Sequence, residues 1–373
     1  MKIVEVITTL LPGGAERFIV SLSNQLALFS HEVTLVVLKD VGDESLGFYV
    51  NSISDAVTFK CLNEKKCGPT IFFKVYKSLS ELDADVIHIH SVSATAFCGL
   101  SMLLNKKSRF FVTCHNKAES EREYGAKFHM KRYLLSHGYF RHIAISHINA
   151  ESIERVYGIT PSATIYNGIS KMTVSERFEE TRNEVCGYKQ CDDTKVFTIM
   201  ARCAPQKNIP RLIRCFNELK KRGHDIVLLI IGSGYDNEIG LQAQRDALPH
   251  IHFLNRKHNV QDYLALSDFF TLSSDYEGMP ISLIEAISFG CIPVCTPVSG
   301  CSDIIVDGET GFISKSFSDE DYINALERAV VCEANIDRDC LKKLYVERFT
   351  MENCARQYES LFKDSLSERV KTV

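Results

Sequence analysis

Four charged residues in the second half of the chain stand where short apolar runs end. Arg202 and Lys207 follow Val196–Ala201, and Glu277 and Glu285 follow Phe269–Ser273. The two cations could grip a phosphate, the guanidinium as a fork and the ammonium as a compact charge. A pair of solvated surface cations would read the same way. Each carboxylate only accepts hydrogen bonds, which suits the hydroxyls of a sugar or a ribose. The plainer alternative is one acid at a helix start and one solvated acid. Between the two glutamates, Gly278, Met279, Pro280, Ile281 and Ser282 read as a turn that opens a helix. The free amides at such a helix start favour an anion.

The first half carries a weaker set. Gly13 and Gly14 follow the apolar run Lys2–Thr8 and either let the backbone approach a ligand or simply turn. Their spacing is not G-x-G-x-x-G, so a nicotinamide fingerprint is absent, and Gly232-Ser-Gly234 is too short for one. His88-Ile-His90 and Thr113-Cys-His115 each end an apolar run. His88 and His90 share one strand face and could begin a zinc site, yet no third ligand stands at metal spacing, so no metal is expected. Satisfied core histidines are the alternative. Asp83-x-Asp85 resembles a metal-binding pair but merely opens a strand.

These residues need elements to hold them. Short β-branched runs at Lys2–Thr8, Val33–Leu38, Val57–Leu62, Val86–His90, Phe110–His115, Ile143–Ser146 and Thr164–Tyr166 predict strands. Most are separated by stretches with apolar residues three and four apart, as at Phe18, Leu22, Leu26 and Phe29. Asn167-Gly168 marks a turn, and Ser170–Thr194 is polar enough to read as a linker. Strands then resume at Val196–Ala201, Ile226–Gly232, Ile251–Leu254, Phe269–Ser273, Ile292–Thr296 and Gly311–Ile313, with helices between. From Asp337 onward the chain is helical and charged. Apolar strands alternating with helices predict two doubly wound α/β halves, each a parallel sheet covered on both faces. Ligands of such sheets bind at the carboxyl ends of strands, so two facing halves would make a cleft there.

Composition narrows the class. With 373 residues, 45% hydrophobic and 24% charged, the chain has material for two cores and is not a disordered polymer. A net charge of −4 argues against a nucleic-acid binder, so no nucleic-acid partner is expected. The first 167 residues are mildly basic, with 18 Lys and Arg against 16 Asp and Glu. The 14 cysteines are scattered without any C-x-x-C pair, which predicts reduced thiols and a cytoplasmic protein. Val86–Asn105 lacks Asp, Glu, Lys and Arg, but its histidines and serines read as strand, loop and buried helix rather than a membrane span. Within 117–142, six Lys and Arg mix with five aromatic residues. Lys127, Lys131 and Arg132 could dock on an anionic membrane surface, or lie on a solvated helix face.

The order Gly-Gly-Ala-Glu-Arg at 13–17, Arg202 with Lys207, and Glu277 with Glu285 in E-x7-E resembles the retaining glycosyltransferases of family 4. Ile165-Tyr-Asn-Gly-Ile169, Ile231-Gly-Ser-Gly234 and Asp307-Gly-Glu-Thr-Gly-Phe312 support the resemblance, which runs to about residue 330. Met279-Pro280 departs from the usual Phe-Gly, and Ser299-Gly-Cys-Ser-Asp303 from Gly-Gly-Ile/Val-Pro-Glu, so contacts from the latter loop are in doubt. The resemblance implies an α/β, GT-B fold of two Rossmann-like domains facing across a cleft. An acceptor-binding domain would span 1–168 plus a returning helix at about 352–373, and a nucleotide-sugar-binding domain would span 169–351. It implies that Arg202 and Lys207 hold the diphosphate. Glu285 would accept from the ribose, and Glu277 would contact the donor sugar with the amides of Gly278–Ser282 nearby. Gly13 and Gly14 would close over the phosphates, and Asn255 and Arg256 would border the base. His90 would sit near the sugar, with His115 on the acceptor side. No cofactor and no metal are implied. The donor would be a nucleotide sugar, a UDP-sugar before a GDP-sugar. A glycan or lipid-linked glycan would accept it, in bacterial capsule, exopolysaccharide or lipopolysaccharide assembly at the cytoplasmic face of the membrane. A nucleotide-sugar epimerase or phosphorylase, and a noncatalytic sugar-nucleotide sensor, are the alternative classes.

Overall fold

The computed structural model describes residues 1–39, 42, 47–64, 70–116, 118–119 and 126–370, without the side chains of 92, 126, 127, 369 and 370. The chain forms two compact units, one of Met1–Ser170 with Arg348–Val373, the other of Lys171–Glu347.

The first unit is built on a seven-stranded sheet: β1 (Lys2–Ile7), β2 (Glu32–Lys39), β3 (Val57–Glu64), β4 (Val86–His90), β5 (Arg109–Thr113), β6 (Arg141–Ala144) and β7 (Ala163–Thr164). Its order is β3-β2-β1-β4-β5-β6-β7, and every pairing is parallel. The second unit holds β8 (Lys195–Met200), β9 (Ile226–Ile231), β10 (Ile251–Phe253), β11 (Phe269–Leu272), β12 (Ile292–Cys295) and β13 (Phe312–Ile313). They lie in the order β10-β9-β8-β11-β12-β13, again all parallel. Central strands such as β9, Ile-Val-Leu-Leu-Ile-Ile, are buried at every position because helices cover both faces. The strand order reverses between β1 and β4 in one sheet and between β8 and β11 in the other. At such a reversal neighbouring crossovers leave on opposite faces, which opens a crevice at the carboxyl edge.

The tail belongs to the first unit. Ile169 pairs with Thr350, and the amides of Ile169 and Met351 donate to the carbonyls of Phe349 and Ile169. The helix Met351–Val370 then buries Tyr358 and Phe362 beside Phe18 and Phe111. At its surface His31 and Glu359 meet at 2.8 Å.

One expectation fails inside the stretch read as a linker: Phe178–Tyr188 is a helix. It buries only Thr181 and Val185, too short a stripe for periodicity to reveal. Polar contacts hold it instead, since the Glu184 carboxylate accepts from Tyr263 at 2.7 Å and Lys257 at 3.1 Å. The segment 86–105 folds as β4 and two short helices, Val92–Phe97 and Gly99–Leu104. No helix among the described residues is long and apolar enough to cross a membrane.

Candidate active site

The carboxyl edge of the second sheet gathers the residues singled out there. β8 runs into Arg202 and a single 3-10 turn, Pro205–Lys207. Asn208, at φ 45°, then caps the helix Ile209–Lys221 by accepting the Arg211 amide at 3.2 Å. β11 runs into Ser273–Pro280 and the helix Ile281–Ser288. Adjacent strands bring the two loops together, and they are laced: the Asp275 amide donates to the Gln206 carbonyl, and Ser273 Oγ donates to the Lys207 carbonyl, both at 2.9 Å.

Lys207 Nζ lies 2.5 Å from Glu277 Oε1, and Ser274 Oγ donates to the same oxygen at 2.6 Å. Gln206 Nε2 donates to Glu277 Oε2 at 3.2 Å and to the Tyr276 carbonyl at 2.8 Å. Glu277 is buried and Lys207 half-buried, so the pair holds the ammonium in one place. The resemblance gives these two residues separate partners; here each is the other's first partner. Arg202 differs. It is exposed, and its guanidinium has no hydrogen bond or ion pair among the described residues. Arg211, which the sequence reading passed over, is the structural arginine of the loop, bonded to Asp275 and the Ser273 carbonyl.

The Pro280 carbonyl takes the amides of Leu283 and Ile284, so those of Ile281 and Ser282 precede the first helical bonds. Glu285 is buried one turn further on. The loop whose contacts were in doubt supports this turn, for the Gly300 amide donates to the Gly278 carbonyl at 2.8 Å. A Cβ on Gly300 would fall 2.5 Å from that oxygen and from Met279 Cα. Gly300→Ala should therefore displace the Gly278–Pro280 turn and cost about 1–3 kcal/mol. A melting temperature and a nucleotide affinity both equal to wild type would contradict this.

Beside Arg202, the Cys203 amide donates to Ser233, and the Gly232 amide to Asn255, across the ends of β8, β9 and β10. Gly232 is needed because a Cβ there would lie 1.9 Å from the Ala201 carbonyl oxygen. Asn255 and Arg256 are exposed at this edge.

In the first unit, the helix Gly14–Leu28 starts directly after Gly13, which is extended at φ −167°. β4 ends at His90, and Ser91 follows at φ 83°, a left-handed turn uncommon for a residue with a Cβ. Parallel pairing sets Glu5 of β1 opposite His88 of β4. Glu5 Oε2 lies 3.0 Å from His88 Nδ1 and 2.8 Å from His90 Nε2, and those two nitrogens are 3.2 Å apart. Thr113 Oγ1 meets His88 Nε2 at 2.7 Å, and His115 Nε2 meets His90 Nδ1 at 2.9 Å.

Two sequence expectations change here. A third ligand does accompany His88 and His90, because Glu5 converges on both. The three side chains stand 2.8–3.2 Å apart and are hydrogen-bonded to one another. His90, expected near the sugar, is wholly buried with both ring nitrogens engaged, so it offers no edge to a ligand. His115 is the partly exposed histidine.

Burial, with the His88 charge, holds His90 down at about 4, and burial holds His142 down at about 3. The unfolded chain binds these protons near pH 6.5, while the folded unit refuses them. The stabilisation is thus full above pH 6.5 and declines as pH falls toward 4, by about 1.4 kcal/mol per pH unit for each histidine. Urea midpoints at pH 7.5 and 5.5 check this, and equal values would contradict it.

The basic face expected on 117–142 needs a correction. Lys117 lies outside the described residues, as does the Lys127 side chain. Lys131 is buried, with its ammonium 5.0 Å from the Tyr157 ring centroid, so it cannot meet a membrane surface. Its ring partner takes the place of solvent. Arg132 remains exposed, next to exposed Met130 and Tyr133 on the helix Ala126–Ser136.

Known proteins similar to this chain give its family. Residues 12–171 match the family described as Glycosyltransferase Family 4, and residues 188–343 match Glycosyl transferases group 1. The chain belongs to glycosyltransferase family 4. It is 20% identical over 377 residues to the N-acetyl-alpha-D-glucosaminyl L-malate synthase of Bacillus anthracis, covering 95% of each chain. Anabaena Alr3699/HepE, solved with UDP and glucose, superposes with a TM-score of 0.82 at 14% identity, over 98% of this chain and 100% of that one. The lipopolysaccharide outer core galactosyltransferase WaaB superposes with a TM-score of 0.74 at 19% identity, over 98% and 100%. At such identities the structural likeness is one of fold, two Rossmann-like domains of the GT-B type. As a member of family 4 the protein is a glycosyltransferase.

Proposed function

We propose that this glycosyltransferase moves a sugar from a nucleotide-diphosphate sugar, a UDP-sugar before a GDP-sugar, to a glycan or lipid-linked glycan hydroxyl, with retained anomeric configuration. The observation that carries this reading is the edge of the second sheet. There an exposed Arg202, a Lys207 held by Glu277 and the turn Gly278–Ser282 gather at the strand-order reversal. Breaking a sugar–phosphate bond puts negative charge on the departing diphosphate. Prepositioned cations and helix-start amides stabilise that charge without reorganising. Arg202 and Lys207 neutralise the diphosphate, Glu277 sets the Lys207 ammonium, Glu285 accepts from the ribose, and Asn255 and Arg256 border the base. The first unit takes the acceptor. The Anabaena relative solved with UDP and glucose, and the lipopolysaccharide galactosyltransferase, support a UDP-sugar and a bacterial surface polysaccharide.

Purified protein incubated with a panel of UDP- and GDP-sugars, with and without acceptor, tests the reading. Transfer requires the acceptor and leaves the anomeric configuration unchanged. Acceptor-independent conversion marks an epimerase, and binding without turnover marks a sensor. Because the cations supply the charge stabilisation, transfer should persist in excess EDTA; a loss reversed by Mg²⁺ or Mn²⁺ would contradict that part. A lipid-linked acceptor also places Arg132, Met130 and Tyr133 at a membrane surface. Co-sedimentation with anionic vesicles at low salt should fall on Arg132→Glu, and wild type that ignores such vesicles would favour a soluble acceptor.

A further inference from the structure

The buried chain Glu5–His90–His115 has a direction, and donor–acceptor logic reads it. Glu5 has no exposed surface; burial alone would raise its carboxyl, but the His88 charge and the hydrogen bonds from His88 and His90 outweigh that and hold it at about 2. An ionised carboxylate only accepts. His90 Nε2, 2.8 Å from Glu5 Oε2, must therefore carry a proton and donate it. His88 Nδ1 sits 3.0 Å from the same oxygen for the same reason, which is why two nitrogens can stand 3.2 Å apart facing one acceptor. A neutral His90 protonated at Nε2 has a bare Nδ1. That atom lies 2.9 Å from His115 Nε2, so His115 Nε2 has to be the donor. A neutral His115 protonated at Nε2 then has a bare Nδ1. Burial keeps both rings neutral at ordinary pH. His115 Nδ1 makes no hydrogen bond among the described residues, and the residue is partly exposed just beyond the carboxyl end of β5. Packing holds the rings in this register: His115 stacks on His90 at 5.2 Å and meets the Phe18 ring edge-on at 5.5 Å.

We propose that Glu5 is a positioning residue which, acting through His90, fixes the tautomer of His115 so that its outward Nδ1 is a hydrogen-bond acceptor for a substrate hydroxyl. Only the identity of that hydroxyl, on the donor sugar or on the acceptor, rests on the transfer reading above. A carboxamide would remove the polarity. In Glu5→Gln the side-chain amide can donate as well as accept, so His90 can carry its proton on Nδ1, His115 then accepts at Nε2, and its outer nitrogen becomes a donor that no longer accepts a hydroxyl proton.

Imidazole nitrogen shifts of the full chain labelled with ¹⁵N-histidine, assigned with a His115→Asn variant, read the tautomers without any substrate. At pH 7.5 wild type should show both His90 and His115 neutral with the proton on Nε2. Glu5→Gln should move His115 toward the Nδ1-protonated form. A wild-type His115 protonated at Nδ1 or at both nitrogens overturns the proposal, and that measurement needs no variant to fold. A folded Glu5→Gln protein with an unchanged His115 tautomer overturns it as well. In assays, losing one acceptor should cost Glu5→Gln about tenfold. Weaker binding of the nucleotide sugar with unchanged binding of the bare nucleotide would place the hydroxyl on the donor sugar. A raised acceptor KM with unchanged donor binding would place it on the acceptor. If neither changes, the outward role fails. If wild type has the expected tautomers but transfers no sugar, the transfer reading fails and the role of Glu5 in fixing His115 stands.

Discussion

Lys207→Ala should lower kcat by about 10²-fold or more, the loss expected when one prepositioned donor to a developing negative charge is removed. The fold should survive, because Glu277 keeps two neutral donors, Ser274 at 2.6 Å and Gln206 at 3.2 Å. Those donors can hold the carboxylate, but neither brings a positive charge to a departing diphosphate. Lys207→Arg should recover little, since a fork cannot occupy a place built for a single ammonium. Steady-state kinetics on a protein with wild-type melting behaviour is the check, and near-normal turnover would remove Lys207 from the reaction.

Glu277→Ala should be nearly as costly to transfer, and more costly to stability. Its carboxylate is the centre of the loop: it accepts from Lys207, Ser274 and Gln206. Removing it leaves the half-buried ammonium and the Ser274 and Gln206 donors without their shared acceptor, at a cost of about 1–3 kcal/mol, whereas Lys207→Ala leaves the carboxylate its two neutral donors. The freed ammonium also loses the position from which it would meet a phosphate. Both UDP affinity and turnover should therefore fall in Glu277→Ala. The double variant Lys207→Ala/Glu277→Ala should be little worse in kcat than either single one, because the two act as a unit. Calorimetry with UDP and a double-mutant cycle decide it. Additive losses would mean that the two residues act separately, as the family resemblance alone suggests.

What could be read in advance follows from the range of each interaction. Every strand was legible to within two residues because each is a short apolar run bounded by polar or turn residues. Arg202, Lys207 and the turn before Ile281 were legible because a local pattern of strand, turn and helix start carries them. Interactions spanning long separations were not. Glu5 is 83 residues from His88, and only the pairing of β1 with β4 brings them together; in the sequence it merely interrupts an apolar run. The Lys207–Glu277 pair spans 70 residues and depends on β8 lying beside β11. Lys131 was misread because helical spacing gives a face but not its neighbour, which is the Tyr157 ring on another helix. The helix Phe178–Tyr188 escaped because polar bonds from Glu184, rather than an apolar stripe, dock it. His115 and His90 could not be ranked until burial was known, since both end strands in similar sequence.

The diphosphate site proposed at the carboxyl edge of the second sheet has its most exposed cation in Arg202. Its guanidinium is exposed, and Arg202→Ala removes no hydrogen bond or ion pair among the described residues. Isothermal titration of wild type and Arg202→Ala with UDP, alongside their melting temperatures, is the measurement. Loss of one charged contact predicts UDP affinity weakened by about ten- to a hundredfold at an unchanged melting temperature. Equal UDP affinity in the two proteins, or a wild type that binds neither UDP nor GDP, would contradict the account.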